Sequence, residues 1–202
     1  TRLHVQAGPA ATNTANADAQ VLRLSRTGTS NVKWDNIAQF NLGSYMVTTG
    51  GNANATSRLD LALTNGNDNT TLSNVMTWQA NGNVGVGTTA PGSKLEVNGS
   101  ATNTTAFNLG SATAVTFNMS NLAYTTANPG AFNLQGMKDG GTYTLAVQGT
   151  TAALSSFSGL NPAGTAFTFL SANNAITMSG KQTLYTFIVM GNTVYYYMAT
   201  GF

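Results

Sequence analysis

Asn81–Gly99 reads NGNVGVGTTAPGSKLEVNG. Three glycines fall in its first seven residues and a proline follows at position 91. Two short apolar alternations flank that proline: Val84 with Val86, and Leu95 with Val97. Gly85 and Gly87 allow a close backbone approach or a bend that a side chain would block. Pro91 ends one extended segment and sets the direction of the next. Four aliphatic side chains are little to set against roughly 1–2 kcal/mol of backbone entropy per ordered residue, when burial returns about 25 cal/mol per Å². The stretch therefore reads as an ordered joint rather than a flexible linker, one that a single chain cannot complete.

The rest of the chain is unusual in the same direction. Of 202 residues only 7% are charged, against about 25% in ordinary soluble proteins. Thr (32) and Asn (24) dominate the polar set, with 22 Gly. The net charge of +2 and 9% aromatic residues argue against disorder, which accompanies high net charge and few aromatics. Eight basic residues form no cluster, so neither nucleic acid nor an anionic membrane surface is expected as a partner. No cysteine is present, which removes disulfides and thiolate metal sites. No apolar run is long enough to span a bilayer as a helix, so no membrane insertion is expected. The chain starts at Thr1 without Met or a signal peptide and reads as a piece of a longer protein.

Apolar residues recur with period two in many short runs, the pattern of half-buried strands. In SRLDLALT, Leu59, Leu61 and Leu63 share one face, and Arg58, Asp60 and Ala62 the other. Val115, Phe117 and Met119 alternate in VTFNM; Tyr143, Leu145 and Val147 do so in TYTLAV. Asn65-Gly66, Asn81-Gly82, Asn98-Gly99 and Gly140-Gly141 punctuate these runs with residues suited to positive φ. The pattern predicts an all-β chain. TLYTFIVM is apolar on both faces, Gly191-Asn192 turns it back, and TVYYYM completes a hairpin. TRLHV at Thr1–Val5 echoes SKLEV at Ser93–Val97, so the chain opens where a preceding copy of the joint would end. The expected order is the end of a joint at 1–5, a first β head or spacer at 6–79, the joint at 80–99, and a C-terminal β tip at 100–202.

The joint resembles the NGNVGIGTTxPxxKLxVxG segment of trimeric fibre proteins, namely phage tail fibres and the modular trimeric fibre adhesins of predatory bacteria. Asn81, Gly82, Asn83, Val84, Gly85, Gly87, Thr88, Thr89, Pro91, Lys94, Leu95, Val97 and Gly99 match, with Val86 at the usual Ile. SRLDLALTNGNDNTTLSNVMTWQANG resembles the head module of such fibres, and GGTYTLAVQGTT with LYTFIVMGNTVYYYMATGF resembles a tail-fibre end domain. An Arg- and Trp-containing strand usual in that end domain is missing from AALSSFSGLNPAGTAFTF, so the usual ligand need not apply. The resemblance implies an intertwined homotrimeric fibre of β-rich heads joined by a short triple-stranded β joint, with Val84, Gly85, Val86, Gly87, Pro91, Leu95 and Val97 in it. It also implies an exported protein, part of a cell-surface fibre or a virion tail. Its function would be adhesion to a glycan or other envelope molecule of a target bacterium through the C-terminal tip. A polysaccharide-cleaving tailspike and a purely structural shaft segment are the alternatives.

Catalytic residue types are scarce. The lone histidine, His4, alternates with Leu3 and Val5, and three copies meeting on an axis is the one metal arrangement open to it. The six acids are Asp18, Asp35, Asp60, Asp68, Glu96 and Asp139; Asp60 faces the same way as Arg58, which suggests an ion pair rather than a glycosidase carboxylate. GNVGVG has the wrong glycine order for a dinucleotide loop and no helix after it. No enzyme activity and no cofactor are expected. Recognition remains, and sugar sites combine an aromatic face with amides and hydroxyls. Trp34 and Trp78 read mainly as packing residues. Tyr195 and Tyr197 face opposite to Val194, Tyr196 and Met198; with Asn192, Asn173, Asn174 and the loop cation Lys181 they form the expected ligand-binding set.

Overall fold

The computed structural model describes residues 19–26, 28, 35–46, 56–66, 71–103, 105–172 and 177–202. Among them are fifteen strands and no helix, so the chain is all-β. It divides into two compact units, Thr1–Ala101 and Thr102–Phe202. His4, Trp34, Asp18, Asp68, Asn173, Asn174 and the TRLHV echo lie outside the described residues.

The described residues of the N-terminal unit form a six-stranded sheet in sequence order: β1 (Ala19–Arg26), β2 (Asn36–Ser44), β3 (Ser57–Thr64), β4 (Leu72–Gln79), β5 (Val84–Val86) and β6 (Leu95–Val97). The first five strands run antiparallel, and β6 returns parallel to β5. The joint is thus two further strands of the same sheet. Bulges leave Val21 and Val75 unpaired between β1/β2 and β3/β4. Register aligns the alternating side chains into rows. Leu42, Leu59, Trp78, Val84 and Leu95 stand abreast in one row, and Leu22, Phe40, Leu61, Met76, Val86 and Val97 in the next.

Burial in this sheet is inverted. Leu22, Leu24, Leu42, Leu63, Trp78, Leu95 and Val97 are exposed, all on the leucine face. The polar face holds the buried residues: Asp60, Thr77, Ala62, Ile37 and Gly85. Asp60 is 2% exposed. Its Oδ2 accepts from Arg58 Nε at 2.9 Å and its Oδ1 from Thr77 Oγ1 at 2.6 Å, so the buried charge is fully paired.

The C-terminal unit winds between two sheets. β7 (Phe107–Asn108), β9 (Leu122–Thr125) and β11 (Thr142–Val147) lie parallel in the larger sheet. β8 (Ala114–Thr116), β10 (Ala131–Gln135) and β12 (Ser156–Gly159) lie parallel in a three-stranded sheet. The chain alternates between the two, coil upon coil, which gives this region β-solenoid character. After β13 (Thr168–Ser171), the hairpin of β14 (Thr183–Met190) and β15 (Thr193–Thr200) completes the larger sheet in the order β13-β15-β14-β11-β9-β7. The core gathers Val115, Phe132 and Leu134 from the small sheet with Leu145, Tyr185 and Phe187 from the large one. Phe157 of β12 is the aromatic centre, edge-on to Tyr185 and Phe187 at 4.9 Å each and to Tyr196 at 5.1 Å.

Candidate functional site

Alternation in β14 sends Thr183, Tyr185, Phe187 and Val189 into the core. The opposite face is half-buried at Leu184, Thr186 and Ile188 and open at Met190, so this strand is less covered than its two apolar faces predict. β15 buries Val194 and Met198 and leaves Tyr195 and Tyr197 46% and 49% exposed. The two rings point the same way, about 7 Å apart along the strand. Tyr195 stands between Leu170 of β13 and Ile188 of β14. Tyr197 stands beside Thr186, which pairs with Thr144 of β11, which pairs in turn with Leu122 of β9. The result is an uncharged sheet face of two phenols, threonine hydroxyls and exposed Leu122, Leu170 and Met190.

The remaining members of the expected set do not join this face. Asn192 sits in the β14–β15 turn, but its Nδ2 donates to Ala166 O at 2.7 Å and its Oδ1 accepts from Asn161 Nδ2 at 3.0 Å. Asn192 thereby ties the turn to the loop before β13, and its amide is committed to structure rather than to a ligand. Lys181 is exposed before β14, at the opposite end of the hairpin from Asn192. Tyr195 and Tyr197 are the two residues the fold brings together. Leu170, Thr144 and Thr186 beside them were not singled out in the sequence; the alternation in TYTLAV and TLYTFIVM carries the signal for the threonines.

Tyr185, on the core face of β14, is fully buried. Burial pushes its phenol above the ordinary tyrosine value, and the Ser155 hydroxyl beside it offsets part of that shift. Neither oxygen reaches hydrogen-bonding geometry with a partner.

The joint is held internally. Val84 N donates to Lys94 O at 3.0 Å, and Asn98 N donates to Val86 O at 2.9 Å. Asn83 Nδ2 caps Pro91 O at 3.0 Å, Glu96 Oε2 accepts from Gly92 N at 2.7 Å, and Lys94 Nζ donates to Asn81 O. Pro91 is buried, while Leu95 and Val97 remain open. Gly85 is required within the chain: a Cβ there would lie 2.5 Å from Thr88 O. Gly87 turns the chain at φ +71°. Gly85→Ala is expected to lower thermal stability by about 1–3 kcal/mol, the usual range for forced overpacking; an unchanged melting temperature would show that the Thr88 turn yields freely.

Each described carboxylate is engaged inside the fold. Asp35 accepts from Gly28 N at 2.8 Å and Asp139 from Gly191 N at 2.7 Å, with Asp60 and Glu96 bound as above. Among the described residues no three His, Asp or Glu come together as a metal-binding group. An open groove of ≈ 470 Å³ at the ends of β1–β3 is lined by Leu24, Arg26, Ile37, Leu63 and their neighbours, with Arg26 its one charged group. Comparisons with protein-family models, curated proteins and solved structures find no match.

Proposed function

We propose that this chain is a homotrimeric fibre-tip adhesin that binds a surface glycan of a target bacterium through the outer face of the β14–β15 hairpin. The observation that carries the proposal is the pair Tyr195 and Tyr197, half exposed and side by side on an uncharged face with Thr186 and Thr144 in register. Phenol rings offer an apolar surface to the C–H face of a sugar, and the flanking hydroxyls offer hydrogen bonds that fix its orientation. A flat, uncharged platform suits a neutral glycan better than an acidic one. The resemblance of Asn81–Gly99 to the joint of trimeric fibres supports the threefold assembly, an exported location and a bacterial-surface target. Three identical sites then give avidity, so that each can be individually weak.

A glycan array and an envelope-binding assay on the assembled protein test the reading. Tyr195→Ala and Tyr197→Ala are each expected to reduce retention about tenfold or more, since avidity multiplies a loss repeated at every site, without changing the mass in solution. Retention equal to wild type in both variants would remove the site. Lys181→Ala is expected to change nothing, because the cation sits at the other end of the hairpin.

A further inference from the structure

We infer that the leucine face of the N-terminal sheet is the surface on which copies of this chain assemble, with β5 and β6 of the joint forming its margin. The inference rests on the assembly proposed above and gives it an interface. A sheet cannot be stable with its apolar side in water; that side must be covered for it to fold. Here the uncovered side is the apolar one, with Leu24 57% exposed at one end and Leu95 65% at the other. Among the described strand residues its one charged member is Arg26, at a corner; Arg23, Arg58, Asp60 and Glu96 all lie on the opposite face.

Another copy of this chain is the occupant that fits this face. Coverage that is a condition of folding needs a partner always present at matching concentration, and another copy of the same chain meets that condition. Size agrees: the seven exposed apolar side chains offer on the order of 600 Å², taking about 150–250 Å² for a full large side chain, and a standard interface buries about 800 Å² per partner. The half-buried members Phe40, Leu59, Leu61 and Met76 supply the remainder. A face whose one described charge, Arg26, lies at a corner sets little repulsion against a copy of itself, whereas a charged partner would leave its own ions unpaired against leucine.

The cysteine-free sequence makes the test direct. Leu24→Cys, Leu63→Cys and Leu95→Cys shorten the side chain at exposed positions and place a thiol on the face; Asn133→Cys places one on the open side of β10. Light scattering gives the mass of each full-length variant, and maleimide labelling gives the thiol's accessibility. The expected result is a multimeric mass with the three face thiols labelling at least tenfold more slowly than the Asn133→Cys thiol, the difference vanishing in denaturant. A single-chain mass would overturn both the assembly and this interface. A multimeric mass with face thiols as reactive as the control would overturn the interface alone and leave the assembly standing.

Discussion

Phe157→Ala is expected to cost the C-terminal unit about 3 kcal/mol, the low end of the range for truncating a large core aromatic, because the ring is half-buried. Phe157 joins the two sheets. It stacks on Phe132 of the neighbouring coil at 6.1 Å and meets Phe169, Tyr185, Phe187 and Tyr196 of the larger sheet. Edge-to-face aromatic pairs each add about 0.5–1.5 kcal/mol beyond burial, so this ring contributes more than its area alone. β12 has one strand neighbour, β10, in the small sheet. With the ring gone, β12 keeps its four backbone pairings with β10, the Phe167 N–Gly159 O bond and the Ser158 hydroxyl's bonds to β10, but loses its aromatic contacts with the larger sheet. Urea unfolding followed by near-ultraviolet circular dichroism reads the loss. A unit of about 100 residues loses roughly 4–8 °C of melting temperature per kcal/mol, so the shift should exceed about 10 °C. Phe157→Leu should recover about half, because it refills volume without restoring the edge contacts. A melting temperature within a degree of wild type for Phe157→Ala would mean that the two sheets do not depend on this ring.

The second large effect is expected in the other unit. Arg58→Ala leaves the Asp60 carboxylate buried with Thr77 as its remaining described hydrogen-bond partner. Breaking a buried pair by removing one partner costs about 3–5 kcal/mol, much of it from the stranded charge. The sign of the double change separates pairing from packing. Arg58→Met with Asp60→Leu removes both charges together and is expected to restore most of the stability, since Thr77 keeps Asn74 Oδ1 within reach at 3.4 Å. Wild type and both variants need the same concentration, because any self-association adds to apparent stability by mass action. If the single and double variants unfold at the same denaturant concentration, the ion pair is not the source of the effect.

Much of this was legible in the residues. Period two in SRLDLALT separated Leu59, Leu61 and Leu63 from Arg58 and Asp60, and the predicted ion pair forms within one face. Gly191-Asn192 marked a hairpin that the structure has, and alternation in TVYYYM separated Tyr195 and Tyr197 from the core. What periodicity cannot say is which face is covered. It identifies two sides of a strand, while burial depends on what packs there, so the inversion that hides Asp60 and opens Trp78 was unreadable. The parallel coils were missed for another reason. Strands of two to six residues are too short to establish a period, and no tight turn fixes the register between coils. Asn192 misled because an amide in a turn serves equally well as a ligand contact or as a brace for the backbone, and its partner Asn161 lies 31 positions away.

The coiled arrangement also separates the height of the unit from its tyrosine face. Each coil touches only the coils beside it, as in other stacked architectures. The hairpin bearing Tyr195 and Tyr197 docks on β11, the last of the three stacked parallel strands β7, β9 and β11 of the larger sheet, while β7 forms the far margin of the same sheet. A coil gained or lost ahead of β9 would move that margin and leave the β11–β14–β15 register as it is. The height of this unit can therefore change through duplication or deletion of coils while the tyrosine face stays the same, and substitutions on the tyrosine face leave the height as it is.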